Sequence, residues 1–318
     1  MSGSDLIDPG TDSAPDGSGP PVAARPPVQF VRGARAVFAF ALPATFFSRR
    51  TLFFGLLAGV LPLVAVVFLL VKAIPATEQL REGYIFYTHT FFLVHYIVLL
   101  IALFFGTSVV ADEIENKTLT YLFVRPVPKM AILLGKATAI WASAALLIGP
   151  MLIVTYTLLT LGDGILAENI LNAGIIHTER IYSGAPASFV HHLPTLGADL
   201  FLTLGVLAVY TAVFTFVGAF FNKPVLWGIA LAFGWESWVP YIPALARKLT
   251  VMHYVQSLTA HATGKNMLNQ VAGQVTASAQ AAGTGEAILA LLFIFALFGG
   301  LSLWTFSHRE YIFDLSKQ

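Results

Sequence analysis

Six long apolar stretches dominate this chain, at about residues 51–71, 91–110, 132–160, 196–220, 225–243 and 286–307. A helix rising about 1.5 Å per residue needs about 20 apolar residues to cross roughly 30 Å of hydrocarbon. Five of the six stretches reach that length. The fifth is weaker, clean from Val225 to Trp235 and then interrupted by Glu236, Ser237, Pro240 and Pro243. The third contains Gly149-Pro150, where a tilt or kink is expected. Charge is correspondingly scarce: 18 basic and 17 acidic residues make up 11% of the 318, under half of the roughly 25% in a soluble domain. So few charges would not cover a soluble surface of this size, so the expected solvent for most of the chain is bilayer. The net charge of +1 leaves no phosphate-neutralising excess and excludes a strongly basic nucleic-acid binder. With no cysteine, disulfides, thiol catalysis and cysteine zinc sites are also excluded.

Residues 1–29 differ in character from the rest of the chain. They are rich in Pro, Gly, Ser and Asp and cannot bury enough apolar surface to offset chain entropy, which predicts a disordered tail. No apolar run comes after a basic start, so this segment is not a cleavable signal. From 30 to 50 the chain turns basic and aromatic, with Phe38, Phe40, Phe46 and Phe47 among Arg32, Arg35, Arg49 and Arg50. That mixture predicts an interfacial helix anchored by the four arginines, ahead of the first span. The transmembrane domain then covers 51–310 and a short tail 311–318. With six spans, twelve basic residues fall on the side of the termini and six on the other, so both termini are expected to be cytoplasmic in a multi-pass cell-membrane protein.

The sizeable cytoplasmic loop, 111–131, carries ordered chemistry. Glu113 and Lys117 stand four apart, acid first, the favourable helical order. Ile114, Leu119, Leu122 and Phe123 form an apolar stripe opposite Asp112, Glu115 and Asn116, and Arg125-Pro126 ends the helical pattern. A short amphipathic helix between two spans suits mechanical contact with a soluble partner.

With Glu113, Glu115, Lys117, Thr118, Leu119, Tyr121, Leu122, Arg125, Pro126, Val127, Gly135 and Lys136 in this order, the segment resembles ABC transporter permeases of the second exporter class. The resemblance extends over about 30–310 through the six-span hydropathy, the basic segment before the first span and the long outer region between the last two. Asn116-Lys117 stands where the family often has Arg-Gly. The resemblance implies a type V exporter-like, all-α membrane fold. It has six transmembrane helices, an interfacial helix, a cytoplasmic coupling helix and an outer helical segment. It also implies that Glu113, Glu115, Lys117, Leu119, Tyr121, Leu122, Arg125 and Pro126 dock a separate ATP-binding subunit that holds ATP and Mg, and that a second permease copy or related permease completes the pathway. Against this, charged loops between spans are common, and Lys136 alone reads as a snorkelling anchor.

No Gly-x-x-x-x-Gly-Lys-Ser/Thr occurs, so no phosphate-cradling loop predicts ATP hydrolysis by this chain itself. His-Glu-x-x-His and Gly-x-Ser-x-Gly are absent too. Glu236, between Trp235 and Trp238, is the most conspicuous charge in an apolar stretch. It reads either as a carboxylate beyond the midplane, hence a functional site, or as the first residue of an outer re-entrant helix after a break near Gly234, wetted from outside. Both readings place Glu236 and Trp235 at the outer half of a translocation path. Leu245, Leu249, Met252, Val255 and Leu258 predict an amphipathic outer helix. An external metal site of His191, His192, His253 and His261 lacks ligand spacing, so no metal is expected. His89 and His95 fit packing roles, and Gly55-x-x-x-Gly59 permits close helix approach, within the chain or between subunits. Two rivals to a transport subunit remain: an intramembrane enzyme using Glu236, and a scaffold recruiting a soluble complex. The transported substrate and its direction are not written in these residues.

Overall fold

The computed structural model describes residues 30–71, 93, 96–115, 128–172, 189–241, 245–262 and 282–308. The predicted tails, most of the 111–131 loop including Lys117, Leu119, Tyr121, Leu122, Arg125 and Pro126, and His89 and His95 lie outside them. So do the side chains of Glu113, Glu115, His191, His192 and His261.

All regular structure among the described residues is helical: α1 (Phe30–Phe46), α2 (Arg49–Ala58), α3 (Val60–Val71), α4 (Leu99–Glu115), α5 (Lys129–Asn172), α6 (Phe189–Phe220) and α7 (Pro224–Ile229). A π-helical segment, Ala230–Glu236, continues α7, and 3-10 turns at Val239–Tyr241 and Leu245–Leu249 lead into α8 (Val251–Ala262) and then α9 (Thr284–His308). Among the described residues, four helices are long and apolar enough to cross a membrane: Arg49–Val66, Lys129–Leu158, Leu196–Phe220 and Thr284–His308. That is the architecture of a membrane protein. The second apolar stretch is described as the shorter helix Tyr96–Ala111. The fifth does not form one straight span, because α7 gives way to the π segment, which ends at Glu236.

Local chemistry accounts for the breaks. Ser48 caps α2 by accepting the Thr51 N–H at 3.2 Å, and Thr51 Oγ1 donates to the Thr45 carbonyl at 2.6 Å, fixing the α1–α2 turn. Gly59 links α2 to α3 with the ladder continuing through it: its N–H donates to the Gly55 carbonyl at 2.8 Å and its own carbonyl accepts from the Leu63 N–H at 3.2 Å. Among the described residues, a Cβ at Gly55 would meet only Leu147 Cδ1, at 3.5 Å. α5 runs through Pro150 uninterrupted. Lacking an N–H, Pro150 leaves the Leu146 carbonyl without its helical donor, a loss the 44-residue helix absorbs.

α6 is the central helix, with 61% of its apolar window buried against 11% for α9. It packs on α4, α5 and α9. Backbones come closest where side chains vanish. A Cβ on Gly106 of α4 would lie 2.7 Å from Phe214 Cβ, and one on Gly218 of α6 would lie 2.7 Å from the Thr107 carbonyl oxygen. α1 lies against α5 in the same way: a Cβ on Gly135 would sit 2.5 Å from the Ala34 carbonyl oxygen. Small residues at such contacts are how helices pack without a water-driven hydrophobic force between them. Arg32, Arg35, Arg49 and Arg50 are all exposed on this α1–α2 arm.

Candidate functional site

The polar centre of the structure is the Glu236 carboxylate, which is only 5% exposed. Gly228, Ala232 and Glu236 are all buried at four-residue spacing. An α-helix would rotate the last of these about 80° out of line with the first, at roughly 100° per residue. The wider π turn holds all three on the inner side. Trp235, one residue earlier, is 39% exposed and Trp238 is 73% exposed, so the two indoles face away from the carboxylate.

Three donors from two other elements converge on Glu236. Tyr210 of α6 donates its hydroxyl to Oε2 at 3.0 Å. The Met252 N–H donates to the same oxygen at 3.1 Å, and the Val251 N–H to Oε1 at 3.2 Å. Val251 and Met252 open α8, so the carboxylate satisfies two of the N–H groups that a helix start leaves unpaired, at the positive end of the helix dipole. A third is taken by Thr250, whose Oγ1 accepts from the His253 N–H at 3.3 Å. Glu236 is therefore neither wetted nor the first residue of a re-entrant helix. The backbone continues helically through Gly234, and Glu236 caps a different helix.

A second buried pair was not foreseen from the sequence. Tyr156 of α5 donates its hydroxyl to Asp199 Oδ2 of α6, with Tyr156 2% and Asp199 6% exposed. Asp199 and Tyr210 are eleven residues apart, close to three full turns, so both tyrosine–carboxylate pairs use one face of α6. The sequence signal for it is a carboxylate, Asp199, inside the apolar stretch 196–220. Trp141 Nε1 adds a bond to the Leu204 carbonyl at 3.1 Å, tying α5 to α6.

The predicted outer helix is present as α8 but sits inside the fold. Met252 and Val255 are buried, Leu249 is 69% exposed on the preceding 3-10 turn, and α8 packs on α9 and α6. Ser257 Oγ accepts the Ala282 N–H at 3.1 Å just before α9 begins. His253 is 6% exposed, and its Nε2 has no hydrogen-bond partner. Among the described residues, no three His, Asp or Glu side chains come together as a metal-holding group.

Burial first, then the Arg247 and Lys248 charges, lowers the His253 pKa from 6.5, while Glu286 opposes the shift. The folded state thus favours neutral His253. Its contribution to stability is complete above the unfolded value of 6.5 and is lost as pH falls from 6.5 toward the lower folded value. The melting temperature of detergent-solubilised protein is expected to fall as pH drops below 6.5, and His253→Gln to flatten that slope. An unchanged slope in the variant would assign the acid sensitivity elsewhere.

Compared with known proteins, the chain matches no family model and no curated protein sequence.

Proposed function

We propose that the chain is the membrane-spanning permease subunit of an ATP-driven transporter of the ABC type, of exporter class, powered by a separate ATP-binding subunit that docks on the 111–131 loop. The observation that carries this reading is the ordered run from Glu113 through Arg125-Pro126-Val127 to Gly135-Lys136. It lies between the end of α4 at Glu115 and the start of α5 at Lys129, two helices that pack together. Gly135, the motif's glycine, is also the seat of α1. A push on the loop would therefore reach the arginine-bearing α1–α2 arm directly. Two such permeases, or this chain and a related one, would form the pathway, with six spans each and both termini in the cytoplasm.

In this reading the ATP and Mg chemistry belongs to the partner, and this chain performs conformational work. The setting of Glu236 supports a mechanical part over acid–base catalysis, because its carboxylate is held by three fixed donors. The test is affinity capture from detergent extracts. Wild-type protein is expected to bring down an ATP-binding subunit with ATPase activity, and a Glu113→Arg/Arg125→Glu variant to lose at least about 10-fold of it, the equivalent of about 1.4 kcal/mol. Capture of no ATP-binding subunit by the wild type overturns the proposal.

A further inference from the structure

The Glu236 cluster joins elements that the chain itself leaves far apart. We propose that α8 is a hinged flap and that the Glu236 carboxylate is the releasable latch holding its N-terminus. The bonds to Glu236 lie outside the helix's own ladder, because the first N–H groups of a helix have no intrahelical partner. Withdrawing the carboxylate therefore leaves α8 helical. Thr250 still caps it through the His253 N–H, and the freed donors pass to water. Among the described residues, two further polar contacts join this region to the start of α9. Ser257 Oγ accepts from Ala282 N–H, and the Lys248–Glu286 ion pair, at 3.9 Å with side chains 51% and 57% exposed, contributes little.

The latch is placed to transmit motion. α7 and the π segment form a short rod from Pro224, beside the Asn222-Lys223 turn at the end of α6, to Glu236. Sliding that rod along α6 separates Glu236 from Tyr210 and from α8 together. π turns recur at functional sites, which suits such a joint. This inference rests on the permease reading, under which lifting α8 opens the outer mouth of the pathway.

The chain has no cysteine, so single thiols report cleanly. Ser257→Cys, at 3% exposure on α8, is labelled with a water-soluble maleimide in purified full-length protein, beside Ser143→Cys, at 1% exposure on α5, as reference. Adding Glu236→Gln is expected to speed labelling at position 257 at least 10-fold and leave 143 unchanged, with Tyr210→Phe intermediate. Equal acceleration at both positions, or none at 257, overturns the latch. In the complex with the co-purified ATP-binding subunit, ATP with Mg is expected to accelerate labelling at 257 without any substitution. An ATP-insensitive rate in a complex that hydrolyses ATP overturns the flap while leaving the permease reading intact. Failure of any ATP-binding subunit to co-purify counts against the permease reading alone, and the Glu236→Gln comparison still decides the latch.

Discussion

Glu236→Ala is expected to lower the melting temperature of the solubilised protein by roughly 10 °C, the largest loss for any side-chain truncation in the described structure. The alanine removes the acceptor of the Tyr210 hydroxyl and of the Val251 and Met252 N–H groups, which lie buried beside Glu236 and reach water only when α8 lifts. A buried donor left unmet costs about 1–3 kcal/mol, and removing one side of a buried charged cluster costs about 3–5 kcal/mol in total. Gln keeps the volume and one acceptor oxygen but turns an amide N–H₂ toward a donor, so Glu236→Gln should retain about half of the lost stability. Thermal unfolding followed by circular dichroism reads both variants. An alanine variant melting within about 2 °C of wild type would mean that the carboxylate carries no structural burden.

The second large effect is expected where α4 and α6 meet. Gly106→Ala and Gly218→Ala should each destabilise by about 1–3 kcal/mol, the usual cost of overpacking. At Gly218 the new Cβ meets the Thr107 carbonyl oxygen at 2.7 Å, and at Gly106 it meets Phe214 Cβ at 2.7 Å. Neither obstacle is the free end of a flexible side chain, so the two helices must move apart. One displacement relieves both clashes, and the double variant should therefore cost less than the sum of the singles. Gly205→Ala on the same helix is the control: no atom lies within 4 Å of its Cβ position, so removing a helix-interior glycine there should be neutral or stabilising by up to about 1 kcal/mol. Denaturant titration in mixed micelles distinguishes these outcomes, and strictly additive losses at 106 and 218 would argue against a shared displacement.

The contrast between those glycines shows how far the sequence could be read. Gly55-x-x-x-Gly59 has the spacing of a packing motif, yet among the described residues Gly59 links two helical runs and Gly55 meets an ordinary van der Waals neighbour. The glycines that do bring backbones together, Gly106, Gly135 and Gly218, stand in no such pair with one another. A spacing rule sees one helix, whereas close packing depends on what the opposing helix offers. Glu236 was legible as unusual because a carboxylate in an apolar stretch is costly wherever it lies. Its partners were not, since Tyr210 is 26 residues before it and Met252 is 16 after. The same rule applies to Asp199, and its partner, the Tyr156 hydroxyl across the α5–α6 contact, is 43 residues away in sequence.

Hydropathy by itself determined that this is a helical membrane protein, because an apolar run of sufficient length has only one way to satisfy its backbone in lipid, through bonds within the run. That argument is local and needs no knowledge of the fold; it holds for α5, α6 and α9, whose apolar limits nearly match the spanning segments Lys129–Leu158, Leu196–Phe220 and Thr284–His308. Tertiary structure alone decided that the fifth stretch turns π-helical and ends at Glu236, and that α8 lies inside the bundle and not on its surface. Those outcomes depend on donors and acceptors meeting across elements. A carboxylate that needs three partners takes them from wherever the chain has folded, and the sequence specifies the need without showing who meets it.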